Sequence, residues 1–136
     1  MSANHGTEPV ADNELLYRRI PVSRGWYSEG ILSPEAFDPL PGEATGISVY
    51  RAKYKSLEEA ARGKSKKGYF VAQFRAGDLR MHGIEVEPRP EPDDPGHAEL
   101  PGLTCWNRLE PEALERKLRL ARLPLRVYGP FLPDLA

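Results

Sequence analysis

The sequence predicts a single α+β domain, and three observations carry that expectation. Its 14 prolines are scattered along most of the 136 residues, so few windows are long enough for the uninterrupted helices of a bundle or coiled coil. Between them lie short apolar runs that alternate, or that are rich in aromatic and β-branched residues, as strands are. Two other segments carry helix boundaries: Ser56 to Gly63, and a run opened by Pro111 and closed by Pro124. The expected architecture is a mixed or largely antiparallel sheet of about five strands with two helices on one side.

Taken in order, residues 1–13 are small and polar without an apolar period, and a flexible, unpacked tail is expected. Leu15 to Val22 reads as a first strand, ended by Pro21. The glycines and prolines of 30–42 forbid a long element, although Ser33-Pro34-Glu35 can open one helical turn that buries Ala36 and Phe37. Ile47, Val49 and Arg51 alternate with Ser48 and Tyr50 in a second strand with two unlike faces. Leu57–Arg62 is a short helix with Glu58 and Glu59 in its first turn, and 64–67 is an exposed basic turn. Gly68 to Phe74, with Tyr69, Phe70, Val71, Ala72 and Phe74, is the strongest strand, and central. A helical turn over 76–82 and a strand over 84–88 follow, with Gly83 between them. Four prolines make 88–96 a stiff loop. A helix over 110–123 should bury Leu114, Leu118 and Leu120 or Ala121, and Leu125, Val127 and Phe131 supply a last strand.

Nineteen Lys and Arg against 20 Asp and Glu give a net charge of −1, so no global field recruits nucleic acid or an anionic membrane. Local charge is uneven. Nine basic and three acidic residues lie between Arg51 and Arg80, whereas six acids face one arginine between Ile84 and Pro101. Cys105 is alone, which excludes an intramolecular disulfide and a cysteine-rich zinc site and fits a reducing cytoplasm. No basic segment followed by an apolar one opens the chain, and no run of 18 apolar residues occurs, so neither export nor a membrane partner is expected.

At RRIP (18–21), GISVYR (46–51), RAGDLRMHGIEV (75–86) and DDPGHAEL (93–100), the chain resembles a family of small, functionally uncharacterised bacterial proteins. The resemblance spans most of residues 14–131. It implies a bacterial single-domain protein in which these segments form one unit. A second resemblance, to ADP-ribosyltransferases with an Arg, Ser, Glu pattern, rests on Arg19 (or Arg18), Ser48 and Glu99. It implies NAD as the bound molecule: a first-strand arginine for the phosphates, a second-strand serine for the nicotinamide ribose, and a late glutamate that polarises the ribose hydroxyl. Two departures stand out. Gly46-Ile47-Ser48-Val49 replaces a Ser-Thr-Ser triplet, and His97-Ala98 precedes Glu99 in place of a second glutamate.

Each candidate also has an ordinary structural role. Arg19 could pair with an acid from 84–101, Ser48 could be a hydrogen-bonded strand residue, and Glu99 could pair with an arginine. His97, close to Asp93 and Asp94, suggests acid–base work. The three histidines lie far apart and form no metal-ligand spacing, so neither a metal nor any other cofactor is predicted apart from NAD under the transferase reading. Trp26 and Tyr27, in a proline-rich loop, are the candidate contacts for a protein partner. Lys64, Lys66 and Lys67, with Tyr50, Tyr54 and Tyr69 nearby in sequence, have the composition of a single-strand nucleic-acid groove. The first reading is a small cytoplasmic accessory or protein-interaction module. An ADP-ribosyltransferase-like enzyme is the alternative, and a single-strand nucleic-acid binder the second.

Overall fold

Alternation assigns the faces of a six-stranded sheet. The structure, a computed structural model, describes residues 6–40, 42–62 and 68–133. The long strands are β1 (Leu15–Pro21), β4 (Ile47–Arg51), β5 (Tyr69–Arg75) and β8 (Arg126–Phe131), joined by the shorter β6 (Glu87–Pro88) and β7 (His97–Leu100). Their order is β6-β7-β4-β1-β5-β8, and every neighbouring pair is antiparallel. A two-stranded ribbon, β2 (Tyr27–Ser28) with β3 (Ile31–Leu32), lies within the glycine- and proline-rich stretch. The α+β class stands, with β5 inside the sheet.

Leu16 and Ile20 of β1, Ile47 and Val49 of β4, Ala72 and Phe74 of β5, and Ala98 and Leu100 of β7 share one face and form the main core. This core is closed by the helical turn Pro34–Phe37, by α2 (Ala76–Met81) and by α3 (Pro111–Arg122). On the opposite face, Tyr17, Tyr50 and Val71 pack beneath Ala60 and Ala61 of α1 (Leu57–Arg62). The helices therefore lie on both faces, not on one side. At about 1.5 Å per residue, the six residues of α1 extend only about 9 Å, and α1 leaves part of its face uncovered.

Several expectations require correction. Residues 6–13 do not form an unpacked tail: Val10 is in the core, and the fully buried Arg51 draws the segment down. Its guanidinium donates to the carbonyls of Gly6 and Glu8 at 3.3 and 3.0 Å and to the Glu14 carboxylate at 2.7 and 2.8 Å. A buried cation requires such acceptors, and the chain's own N-terminal carbonyls supply them. In α3 the buried stripe is Ala113, Lys117 and Leu120, whereas Leu114 and Leu118 are exposed. The helix rotates because the Lys117 ammonium pairs with Asp38 at 3.0 Å, just beyond the Pro34–Phe37 turn on which α3 packs. Only Glu87 and Pro88 of the expected strand 84–88 pair with a neighbour. His97–Leu100, with no assignment from sequence, is an interior strand. The expected 64–67 turn, with Lys64, Lys66 and Lys67, lies outside the described residues.

Candidate functional site

β1 and β4 are registered only at Leu16↔Arg51 and Tyr17↔Tyr50, next to a bond from the Ala52 N–H to the Leu15 carbonyl. Continuing that register would set Arg19 opposite Ser48, but the ladder stops there. Two side chains replace the missing rungs at Ser48. Its N–H donates to Glu43 Oε2 at 2.7 Å, and its carbonyl accepts from Arg18 Nη1 at 2.9 Å. Arg18 and Glu43 pair with each other at 3.2 Å, and Arg18 also donates to the Ala36 carbonyl. The two strands thus diverge around a nearly buried ion pair that satisfies exposed backbone groups.

A cleft opens at this divergence, on the face that α1 leaves bare. It has two lobes, of about 480 and 560 Å³, which share Arg19, Gly42, Glu43, Ser48 and Tyr50. This size suits a small-molecule site. Ser48 stands beside Glu99, and Tyr17, Tyr50 and His97 form the next row, by the β1–β4 and β4–β7 registers; Arg19 lines the same cleft from β1, beyond the point where its ladder with β4 stops. Gly46 permits the close β4–β7 pairing. Its φ of 146° suits glycine, and a Cβ there would sit 2.7 Å from the Leu100 carbonyl oxygen.

The four sequence-predicted polar residues therefore converge: Arg19, Ser48, His97 and Glu99 all line the larger lobe. Arg19 lies over the Tyr50 ring at 4.7 Å and the Tyr69 ring at 5.7 Å, and donates to the Tyr50 hydroxyl. His97 is buried, with Nδ1 2.8 Å from the Arg89 carbonyl and Nε2 3.0 Å from Ser48 Oγ. A carbonyl only accepts, so Nδ1 carries the proton. In the neutral ring Nε2 is then an acceptor, and the Ser48 hydroxyl proton points at it. Ser48 consequently offers lone pairs to anything bound in the cleft. Glu99 Oε1 accepts from Thr45 Oγ1 at 2.7 Å, with Arg89 Nε at 3.5 Å.

Sequence reasoning missed Glu43 and Lys55, and named Tyr50 only for the nucleic-acid reading. Tyr50 had a signal, since it shares the Ser48 face by alternation. Burial raises its phenol above the ordinary value against the opposing charge of Arg19, so it stays neutral. Lys55 sits 4.3 Å from the centre of the Tyr50 ring and pairs with Asp94 at 2.8 Å, joining the basic and acidic segments. Glu43 lies in an irregular loop, where no periodicity could mark it.

Both rings of the aromatic pair are half-buried and pack on the main core; Tyr27 lies edge-on against Phe70 at 4.9 Å, and Trp26 also lines the smaller lobe. Among the described residues, no cluster of three or more His, Cys, Asp or Glu could hold a metal ion, and no helix is long and apolar enough to cross a membrane. Comparisons with protein-family models, curated proteins and solved structures find no match.

Proposed function

We propose that the cleft binds NAD and that the protein is an ADP-ribosyltransferase-like enzyme. One observation carries this reading: Arg19, Ser48 and Glu99, from strands far apart in sequence, line one cleft, with Ser48 and Glu99 directly paired across the sheet. Arg19 would hold the pyrophosphate through paired N–H donors, with the ring faces of Tyr50 and Tyr69 keeping the guanidinium extended. Ser48, its proton engaged by His97, would accept a hydrogen bond from a ribose hydroxyl or the carboxamide nitrogen.

Glu99 would accept from the neighbouring ribose hydroxyl and stabilise positive charge as it develops at the ribose carbon. The glycosidic electron pair leaves with nicotinamide, and a lone pair of the acceptor nucleophile forms the new bond at the same carbon. The acceptor's proton passes to the Glu99 carboxylate. His97 stands in place of a second glutamate, so the group beside Glu99 acts through Ser48 and not as a second anion.

Isothermal calorimetry with NAD tests the binding. Arg19→Ala should weaken it about tenfold or more, the usual consequence of losing charge-assisted hydrogen bonds worth about 1.5–3 kcal/mol. Glu99→Gln should leave affinity within about threefold and lower nicotinamide release about a hundredfold, as loss of transition-state charge stabilisation does. Absence of NAD binding at millimolar concentration, or equal affinity in Arg19→Ala, overturns the proposal.

A further inference from the structure

A third concavity of about 560 Å³ continues the cleft away from Ser48 and shares Arg24, Trp26, Asp38 and Leu40 with the smaller lobe. Trp106 and Arg108 form its outer wall. The Trp106 indole is 82% exposed, yet the segment carrying it is fixed. Thr104 Oγ1 accepts from the N–H groups of Trp106 and Asn107 at 3.3 Å, and the Thr104 N–H donates to Asn107 Oδ1 at 3.0 Å. The Cys105 N–H donates to the carbonyl of Glu43, whose side chain holds Ser48. A large aromatic ring is thus held out in water by a rigid loop tied directly to the cleft. On the opposite wall, the Arg24 guanidinium lies 5.7 Å from the centre of the Trp26 ring.

Charge is polarised along the groove. At the tryptophan end, the one carboxylate, Asp38, is met by Lys117 at 3.0 Å and Arg108 at 3.7 Å, with Arg24 in addition. Glu59, Glu91, Asp93 and Asp94 all lie at the far lobe. A single-stranded polyanion is therefore drawn to the tryptophan end, while in the far lobe Arg19 and Lys55 stand among an excess of carboxylates. Aromatic faces interleaved with guanidinium groups are the chemistry that stacks unpaired bases and pairs with the phosphates between them.

We propose that Trp26, Trp106, Arg24 and Arg108 form a platform for single-stranded nucleic acid. Its use as the seat of the ADP-ribosyl acceptor rests on the NAD reading above; the binding itself does not.

The chain has only two tryptophans, and both are in the platform, so intrinsic fluorescence reports on it directly. Titration of the full chain with a single-stranded oligothymidylate should quench the emission, while a duplex of the same length should not. Two phosphate contacts predict a log–log salt slope of about −1.4, and Arg24→Ala or Arg108→Ala should each remove about 0.7. Trp106→Ala, exposed and harmless to folding by circular dichroism, should weaken binding about tenfold. An unquenched emission, a salt-independent affinity of the kind an apolar protein partner would give, or equal binding of the duplex overturns the proposal.

NAD calorimetry on Trp106→Ala separates the two readings. Unchanged NAD affinity supports an independent platform, and lost NAD affinity assigns the rings to the dinucleotide and overturns it. Oligonucleotide binding by a wild-type chain that does not bind NAD would remove the enzyme reading and leave the platform.

Discussion

Arg18 and Arg51 both point from strands toward the apolar side of the sheet, where an unpaired guanidinium would be prohibitive. Each is matched by a carboxylate and by backbone carbonyls, Arg18 by Glu43 and Arg51 by Glu14 and the segment at Gly6–Pro9. Breaking a buried pair leaves its partner stranded, so Arg51→Ala should cost about 3–5 kcal/mol in urea denaturation. The Glu8 carboxyl is held down to about 2, first by the Tyr54 hydroxyl and then by Lys53. Burial tends to raise Glu14, but the Arg51 hydrogen bond, the Ala11 N–H and nearby positive charge outweigh it and leave it below the ordinary value. Carboxyls depressed by folding give their full stability above the unfolded value of 4.5 and lose it as pH falls toward 2. Tyr54→Phe should therefore flatten the acid limb of the stability curve between 4.5 and 2, as read by pH-dependent denaturation.

Among the elements, those with a clear period could be read from sequence and those set by a partner could not. The apolar run of β1 ended by Pro21, the alternation of β4 and the nearly continuous apolar run of β5 placed these strands correctly, and alternation put Ser48 and Tyr50 on one face. α3 shows the opposite case. Hydropathy favours the leucine stripe, but Lys117 has an acidic partner waiting in Asp38, and the helix turns to meet it. Leu120→Ala should accordingly cost about 2–5 kcal/mol. Leu118→Ala, at 52% exposure, should change stability by less than about 0.5 kcal/mol in the same denaturation experiment. β7 was hidden by the four prolines before it, although His97, Ala98, Glu99 and Leu100 alternate cleanly once read as a strand. Gly96 lets that strand enter. A Cβ there would lie 2.9 Å from the Cβ of Tyr54, and Gly96→Val should lower both stability and any affinity for NAD.

For the whole molecule, the candidate site depends on the proline-rich loop returning β7 to β4. Reciprocal backbone bonds between Glu91 and Asp94 at 2.9 and 3.0 Å tighten that loop, and Lys55 ties it to the segment ahead of α1. The net charge near zero hides the polarity along the groove; its acidic end was legible in the acid-rich run 84–101, whereas Arg24 and Arg108 meet at the other end only once the chain folds. Arg19, Ser48 and Glu99, which line one cleft, were named from the sequence, but their neighbours Glu43 and Lys55 were not, since contact across loops leaves no periodic trace. The interrupted β1–β4 ladder has one more outcome. Odd-numbered residues of β1 aim their amides toward β4 and even-numbered ones toward β5, as the bonds at Leu15 and Val22 mark. Deuterium uptake followed by NMR should consequently stagger along one short stretch, with Arg18 and Ile20 protected for long periods and Arg19 between them exchanging early.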